Sequence, residues 1–146
     1  VAPTPVPFRP ERNAPWPRIQ GTITATIDGS GSGEVAEIDD QGRYKVKLPW
    51  DLSGRKGGSA SRFVRKAEPF LGAGRGMHFP LPPGTEVRLA FTEGNPDRPY
   101  IESALPNPSH PSPVSGGNAT QCVIHAVSGN DITLEDSPPI PRPSAA

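Results

Sequence analysis

A chain of 146 residues with 33% hydrophobic side chains supports one compact domain with a lean core, and no apolar run approaches the ~18 residues of a membrane-spanning helix. Its 15 basic and 15 acidic residues cancel, which argues against a globally basic nucleic-acid binder and leaves local patches open. The 21 prolines and 16 glycines make up about a quarter of the chain, and the prolines crowd residues 3–17, 106–113 and 138–143, so the ends and one internal segment are expected to be extended.

In chain order, "RIQGTITATID" (Arg18 to Asp28) alternates Ile19, Gly21, Ile23, Ala25 and Ile27 against Gln20, Thr22, Thr24 and Thr26, which predicts a half-buried strand. The glycine-serine run 29–33 can reverse the chain into "EVAEI" (Glu34 to Ile38), a weaker strand expectation. A turn at Asp39-Asp40-Gln41-Gly42 leads to a strand that places Tyr44, Val46 and Leu48 opposite Arg43, Lys45 and Lys47, and Pro49 ends it. Asp51 to Arg62 has neither period nor apolar content and reads as a long loop, functional or mobile. "FVRKAEPF" (Phe63 to Phe70) predicts a short strand, and Leu71 to Gly84 a second loop. "TEVRLAF" alternates again, with Val87, Leu89 and Phe91 inward and expected to pack with Ile23, Val46 and Ile101. A turn rich in Asn, Asp and Pro follows, built on Asn95, Pro96, Asp97 and Pro99, and "YIESAL" returns as a strand. After an extended linker, "QCVIHAV" and "DITLED" flank Ser128-Gly129-Asn130 as a hairpin. No window supports a helix of ten or more residues, so the fold class is all-β, and about five strands at hairpin spacing suggest a small barrel or sandwich, with a five-stranded antiparallel barrel and extended Pro-rich termini as the expectation.

Few constellations carry chemistry. Gly72, Gly74 and Gly76 beside Arg75 lack the spacing and following helix of a phosphate loop. His78, His110 and His125 are scattered, no serine sits in a nucleophile elbow, and no carboxylates pair, so no catalytic residue, metal or cofactor is expected. The lone Cys122 excludes an intrachain disulfide and reads as a small buried hydrophobe. The stretch from Arg43 to Lys66 is different: eight basic residues stand against one acid, Asp51, with Tyr44, Trp50 and Phe63 interleaved. Arg43, Lys45, Lys47, Arg62 and Arg65 are the candidate interaction face. A basic groove with stacking aromatics would bind single-stranded nucleic acid, but Tyr44 falls on the apolar face of its strand, which takes at least that aromatic away from stacking on bases. Gly42, Asn95, Pro96, Asp97 and Pro99 are read as architectural turn residues.

The order of motifs resembles a known family. "FRPERNAPWPRIQGTITATI", the run D-x-x-G-R-Y-K-V-x-L-P-W-D from Asp39 to Asp51, the run P-G-T-E-V-R-L-x-F-x-E-G-N-P-D-R-P from Pro83 to Pro99, and "SGNDITLEDSP" together are similar to the OB-fold neck of the VgrG family, the type VI secretion spike proteins related to the central spike of contractile phage tails. The resemblance runs from about Phe8 to Pro138.

It implies a structural protein, not an enzyme, that forms a homotrimer in the assembled spike. Tail tube or hub proteins would lie upstream, and a β-helical needle, tip or effector cargo downstream. Such a protein would be made in the bacterial cytoplasm, built into the particle and delivered outside the cell. The sequence holds no base domain, no run of β-helix repeats and no effector module, so it reads as an excised neck or a minimal relative. The competing expectation is an oligonucleotide- or oligosaccharide-binding barrel. The organisation expected is a Pro-rich linker over 1–17, the barrel over 18–108, a linker over 109–119, strands leading towards a needle over 120–136, and a disordered Pro-rich tail over 137–146.

Overall fold

The computed structural model describes residues 11, 13–31 and 34–137. Most of the expected N-terminal linker, the Ser32-Gly33 part of the glycine-serine turn and the tail from Pro138 onward lie outside the described residues.

The described residues form nine strands and two 3-10 turns. The strands are β1 (Ile23–Asp28), β2 (Lys45–Lys47), β3 (Arg65–Lys66), β4 (Leu71–Gly72), β5 (Arg75–Gly76), β6 (Glu86–Phe91), β7 (Pro99–Leu105), β8 (Gln121–His125) and β9 (Asp131–Glu135). Five of them make one curled sheet in the order β2-β1-β6-β7-β3. The two ends of that order meet at a single bridge, where the Tyr44 N–H donates to the Val64 carbonyl at 2.9 Å and the Val64 N–H returns to Tyr44 at 2.7 Å. The result is an all-β, five-stranded OB-like half-barrel.

One pairing departs from the antiparallel expectation: β3 runs parallel to β7, with Arg65 beside Tyr100 and Lys66 beside Ile101. The long connection from β3 through β4, β5 and β6 makes the parallel return possible, since a tight hairpin can join only antiparallel neighbours.

Alternation puts the core where the residues predict it. Ala25, Ile27, Tyr44, Val46, Val64, Leu81, Val87, Leu89 and Ile101 are buried in one cluster, and Leu48 and Phe91 pack against it half-buried. Ile23 is also only half-buried, because β1 begins there and Ile19 and Gly21 precede the strand. Two further expectations give way. Glu34 to Ile38 forms no strand: the Glu37 carboxylate accepts hydrogen bonds from the Ser30 hydroxyl and the Gly31 N–H, which folds the segment as a loop. The loop from Leu71 to Gly84 carries a short hairpin, β4–β5.

The loop over 51–62 is pinned at its far end. The buried Asp28 carboxylate accepts from the Ala60 N–H at 2.9 Å, the Ser61 hydroxyl from the Val46 N–H at 2.8 Å, and Lys45 Nζ donates to the Gly58 carbonyl at 2.6 Å. The residues before β1 are tied to the turn between β6 and β7, because the Ile19 N–H donates to Gly94 at 2.8 Å and the Arg18 guanidinium to the Glu93 carbonyl at 3.0 Å.

β8 and β9 pair antiparallel across Ser128-Gly129-Asn130 and form a sheet of their own. Cys122 and Ile124 lie opposite Leu134 and Ile132, so the hairpin has one apolar face. Nothing among the described residues covers it: Ile124, Ile132 and Leu134 are 43%, 58% and 64% exposed. Cys122 is therefore exposed, contrary to its expectation as a buried hydrophobe, because its strand has no second layer beneath it.

Candidate functional site

The structure splits the basic stripe. Val46 on β2 and Tyr44 just before it turn inward at 4% and 0% exposure, which sends their neighbours outward. Arg43 is engaged within the chain: its Nε donates to Asp39 Oδ2 at 2.7 Å, and its guanidinium stands 5.8 Å from the centre of the Phe63 ring. That guanidinium is the main reason the Asp39 carboxyl lies below its ordinary value, and N–H groups of Gln41 and Arg43 add to it. Lys45 also covers Phe63, with Nζ 4.8 Å from the ring centre. Lys47 pairs across the strand with Thr26, near Glu86, away from the others. Arg62 and Arg65 are exposed and have no ion-pair partner among the described residues.

Arg43, Arg62 and Arg65 share a groove of about 980 Å³. Val46, Leu48, Val64, Leu89 and Phe91 form its floor, and Trp50 stands at its edge, 58% exposed. Two arginines that the stripe did not single out as interaction residues join the rim: Arg55 from the long loop and Arg98 from the turn before β7. Arg98 is more than thirty positions from the stripe, and only closure of the half-barrel brings it there.

The turn residues hold their segments by backbone geometry. Gly42 has φ of +69° and donates its N–H to the Asp39 carbonyl at 2.9 Å, closing the turn into β2. Asn95 accepts the Asp97 N–H on its side chain at 2.9 Å, while the Arg98 N–H donates to its carbonyl at 3.0 Å. Pro96, Asp97 and Pro99 follow the same turn along the groove wall. Elsewhere, His78 bonds Glu68, and His125 bonds Asp131. Among the described residues no group of three or more His, Cys, Asp and Glu side chains could hold a metal ion, and no helix is long and apolar enough to cross a membrane.

The model of the type VI secretion system/phage-baseplate injector OB domain matches residues 32–105, which include β2, β3, β6 and β7 of the curled sheet. The chain is similar to the type VI secretion system spike protein VgrG4b of Pseudomonas aeruginosa, 33% identical over 136 residues, covering 88% of this chain and 17% of that protein. It is similar to VgrG1b of the same organism, 32% identical over 139 residues, with 88% and 18% covered. VgrG5, again from Pseudomonas aeruginosa, is 36% identical over 98 residues, with 67% and 12% covered. The chain thus spans less than a fifth of the length of each of these relatives. The family model matches half of this chain and relatives at about a third identity cover most of it, and the chain belongs to the family of type VI secretion system and phage-baseplate injector OB domains.

Proposed function

We propose that this chain is a structural neck adaptor of a type VI secretion or contractile phage-tail-like puncturing device and performs no catalysis. The observation that carries the reading is the bare apolar face of β8–β9. A two-stranded hairpin is marginal by itself, so this face calls for a partner surface. Three copies about a common axis would cover it, with the half-barrel acting as a rigid collar and the hairpin as the first step of a needle. Residues 18–108 then form the collar, 109–119 the connection, and 120–136 the strands that lead downstream. The partners of this reading are two further copies, tube or hub proteins upstream, and needle, tip or cargo downstream. Its site of action is outside the producing bacterial cell.

The apolar face of one hairpin is far smaller than an obligate interface. The isolated chain is therefore expected to be monomeric or weakly associated at micromolar concentration. Substituted for the matching segment of VgrG4b, it is expected to support a trimer. Light scattering coupled to size exclusion tests both statements. A chimera that stays monomeric overturns the adaptor reading, and a trimer of the isolated chain that persists on dilution overturns the division of assembly energy.

A further inference from the structure

The groove beside the β2–β3 seam has two layers of opposite character. Its floor is aliphatic and aromatic, built on Val46, Leu48, Val64, Leu89 and Phe91. Its rim carries Arg43, Arg55, Arg62, Arg65 and Arg98 with two aspartates, Asp51 and Asp97, and no lysine. Arg43 is held by Asp39, whereas the other four have no ion-pair partner among the described residues. Guanidinium groups present a planar fork that matches a carboxylate with two parallel hydrogen bonds, which an ammonium does not. Concave apolar floors with a few convergent polar groups are the usual form of a binding site.

We propose that this groove docks an extended acidic segment of another polypeptide, with an apolar side chain on the floor and flanking carboxylates on Arg62, Arg65 and Arg98.

The chain's own ends do not supply that chemistry: residues 1–10 contain one charged side chain, Arg9, and residues 138–146 one, Arg142, both of the groove's own sign. A second copy is poorly matched as well. In its acidic run from Glu34 to Asp40, Glu37 is bonded to Ser30 and Gly31 and Asp39 to Arg43, which leaves Glu34 and Asp40 six positions apart, and in β9 Asp131 is bonded to His125 and Glu135 to Gln121 and Ser137. Single-stranded nucleic acid needs a series of free aromatic faces along a continuous basic track. Here Tyr44 is fully buried, Lys45 and Arg43 flank the Phe63 ring, and the rim is interrupted by Asp51, which the Ser53 hydroxyl and N–H hold ionised. Among the described residues lining the groove, Trp50 is the exposed aromatic with no cation against its ring.

The test is fluorescence anisotropy with the whole chain and a short labelled peptide in which leucines alternate with pairs of glutamates. Three control probes accompany it: a lysine-for-glutamate peptide, a serine-for-leucine peptide and a labelled oligothymidine of matched charge. The glutamate-leucine peptide is expected to bind with a salt-dependent affinity, at least about tenfold tighter than each control and tenfold tighter than to the Arg62→Gln/Arg65→Gln double variant. Both arginines are exposed, so the variant keeps its fold, and an unchanged melting curve verifies this. In a Trp16→Phe background, the same titration is expected to shift Trp50 emission. Equal binding to the double variant, equal binding of the serine peptide, preference for oligothymidine, or arginine-dependent self-association without peptide binding would each overturn the proposal. None of these outcomes depends on whether the VgrG4b chimera trimerises.

Discussion

The hydroxyl of Tyr44 and Nε2 of His78 lie 3.2 Å apart, and the two rings stack with centroids 6.3 Å apart. Tyr44 is in the core, while His78 comes from the loop after β5, so this contact fastens that loop over one side of the half-barrel. The chain of bonds continues outward: His78 Nδ1 meets Glu68 Oε1 at 2.8 Å, and Glu68 accepts from Lys66 Nζ at 2.7 Å. On its other side the Tyr44 oxygen accepts the Leu81 N–H at 3.3 Å.

Tyr44→Phe keeps the ring and removes the oxygen, leaving the buried Leu81 N–H and the His78 nitrogen without their partner. The expected loss is about 1–3 kcal/mol of unfolding free energy. Burial pushes the Tyr44 phenol above its ordinary value of 10.0. A group raised in the folded state contributes in full below its unfolded value, and that contribution fades as pH climbs through the folded one. The gap between wild type and Tyr44→Phe is therefore constant at neutral pH and narrows above about pH 10. Urea unfolding at several alkaline pH values measures it, and a gap that widens there contradicts the assignment.

Leu89 is 3% exposed at the centre of β6, where Ile23 faces it from β1 and Ile101 from β7. Leu89→Ala is expected to cost about 2–5 kcal/mol, the range for a core truncation that cannot collapse. A loss below about 0.5 kcal/mol in chemical denaturation, the size of a surface change, would mean that the side chain is not in the core.

Two glycines separate backbone strain from crowding. Gly42 has φ of +69° and nothing within 4 Å of a built Cβ, so Gly42→Ala is expected to cost only the left-handed penalty, about 1–2 kcal/mol. Gly94 has φ of +71°, and its Cβ would lie 3.0 Å from the Ile19 carbonyl oxygen, on backbone that cannot swing away. Gly94→Ala is expected to lose more than Gly42→Ala in parallel melts, and the reverse order would contradict the tie between Ile19 and the β6–β7 turn.

At the base of the β8–β9 hairpin, hydroxyls of Ser137 and Thr120 and the Gln121 amide hold the Glu135 carboxyl down at about 2 from 4.5. Because the folded value is the lower one, its stabilising effect is complete above 4.5 and disappears as pH falls towards 2. Carbon-detected NMR titration of the Glu135 carboxyl is expected to show this low midpoint, and Ser137→Ala to move it upward. A wild-type midpoint near 4.5 would show that these bonds do not form in solution.

Alternation made much of the barrel legible: the inward placement of Ile27, Tyr44, Val46, Val87 and Leu89 follows from period-two patterns in the sequence. Pairings that depend on distant segments were not legible. β3 is two residues long and finds its parallel partner β7 only after more than thirty intervening residues, with no turn to announce it. Glu34 to Ile38 has strand-like composition, but its carboxylate is captured by the preceding loop. The candidate face shows the same division. Arg62 and Arg65 were visible as basic residues, whereas Arg98 joins them through the half-barrel, and Lys45 is withdrawn by its own bond to Gly58.

The bridge between Tyr44 and Val64 is where the curled sheet meets itself, and two backbone bonds span it, with the Val46 N–H to Ser61 hydroxyl bond beside them. By contrast β6 and β7 are joined along six registered pairs. Local fluctuations cost least where the fewest bonds must break together, so this seam is where the wall gapes while the rest stays folded. In deuterated solvent the amides of Tyr44 and Val64 should exchange ahead of those in β6, although the Tyr44 side chain is fully enclosed. The half-barrel is thus a clasp with a definite opening edge, and the arginine groove lies along that edge.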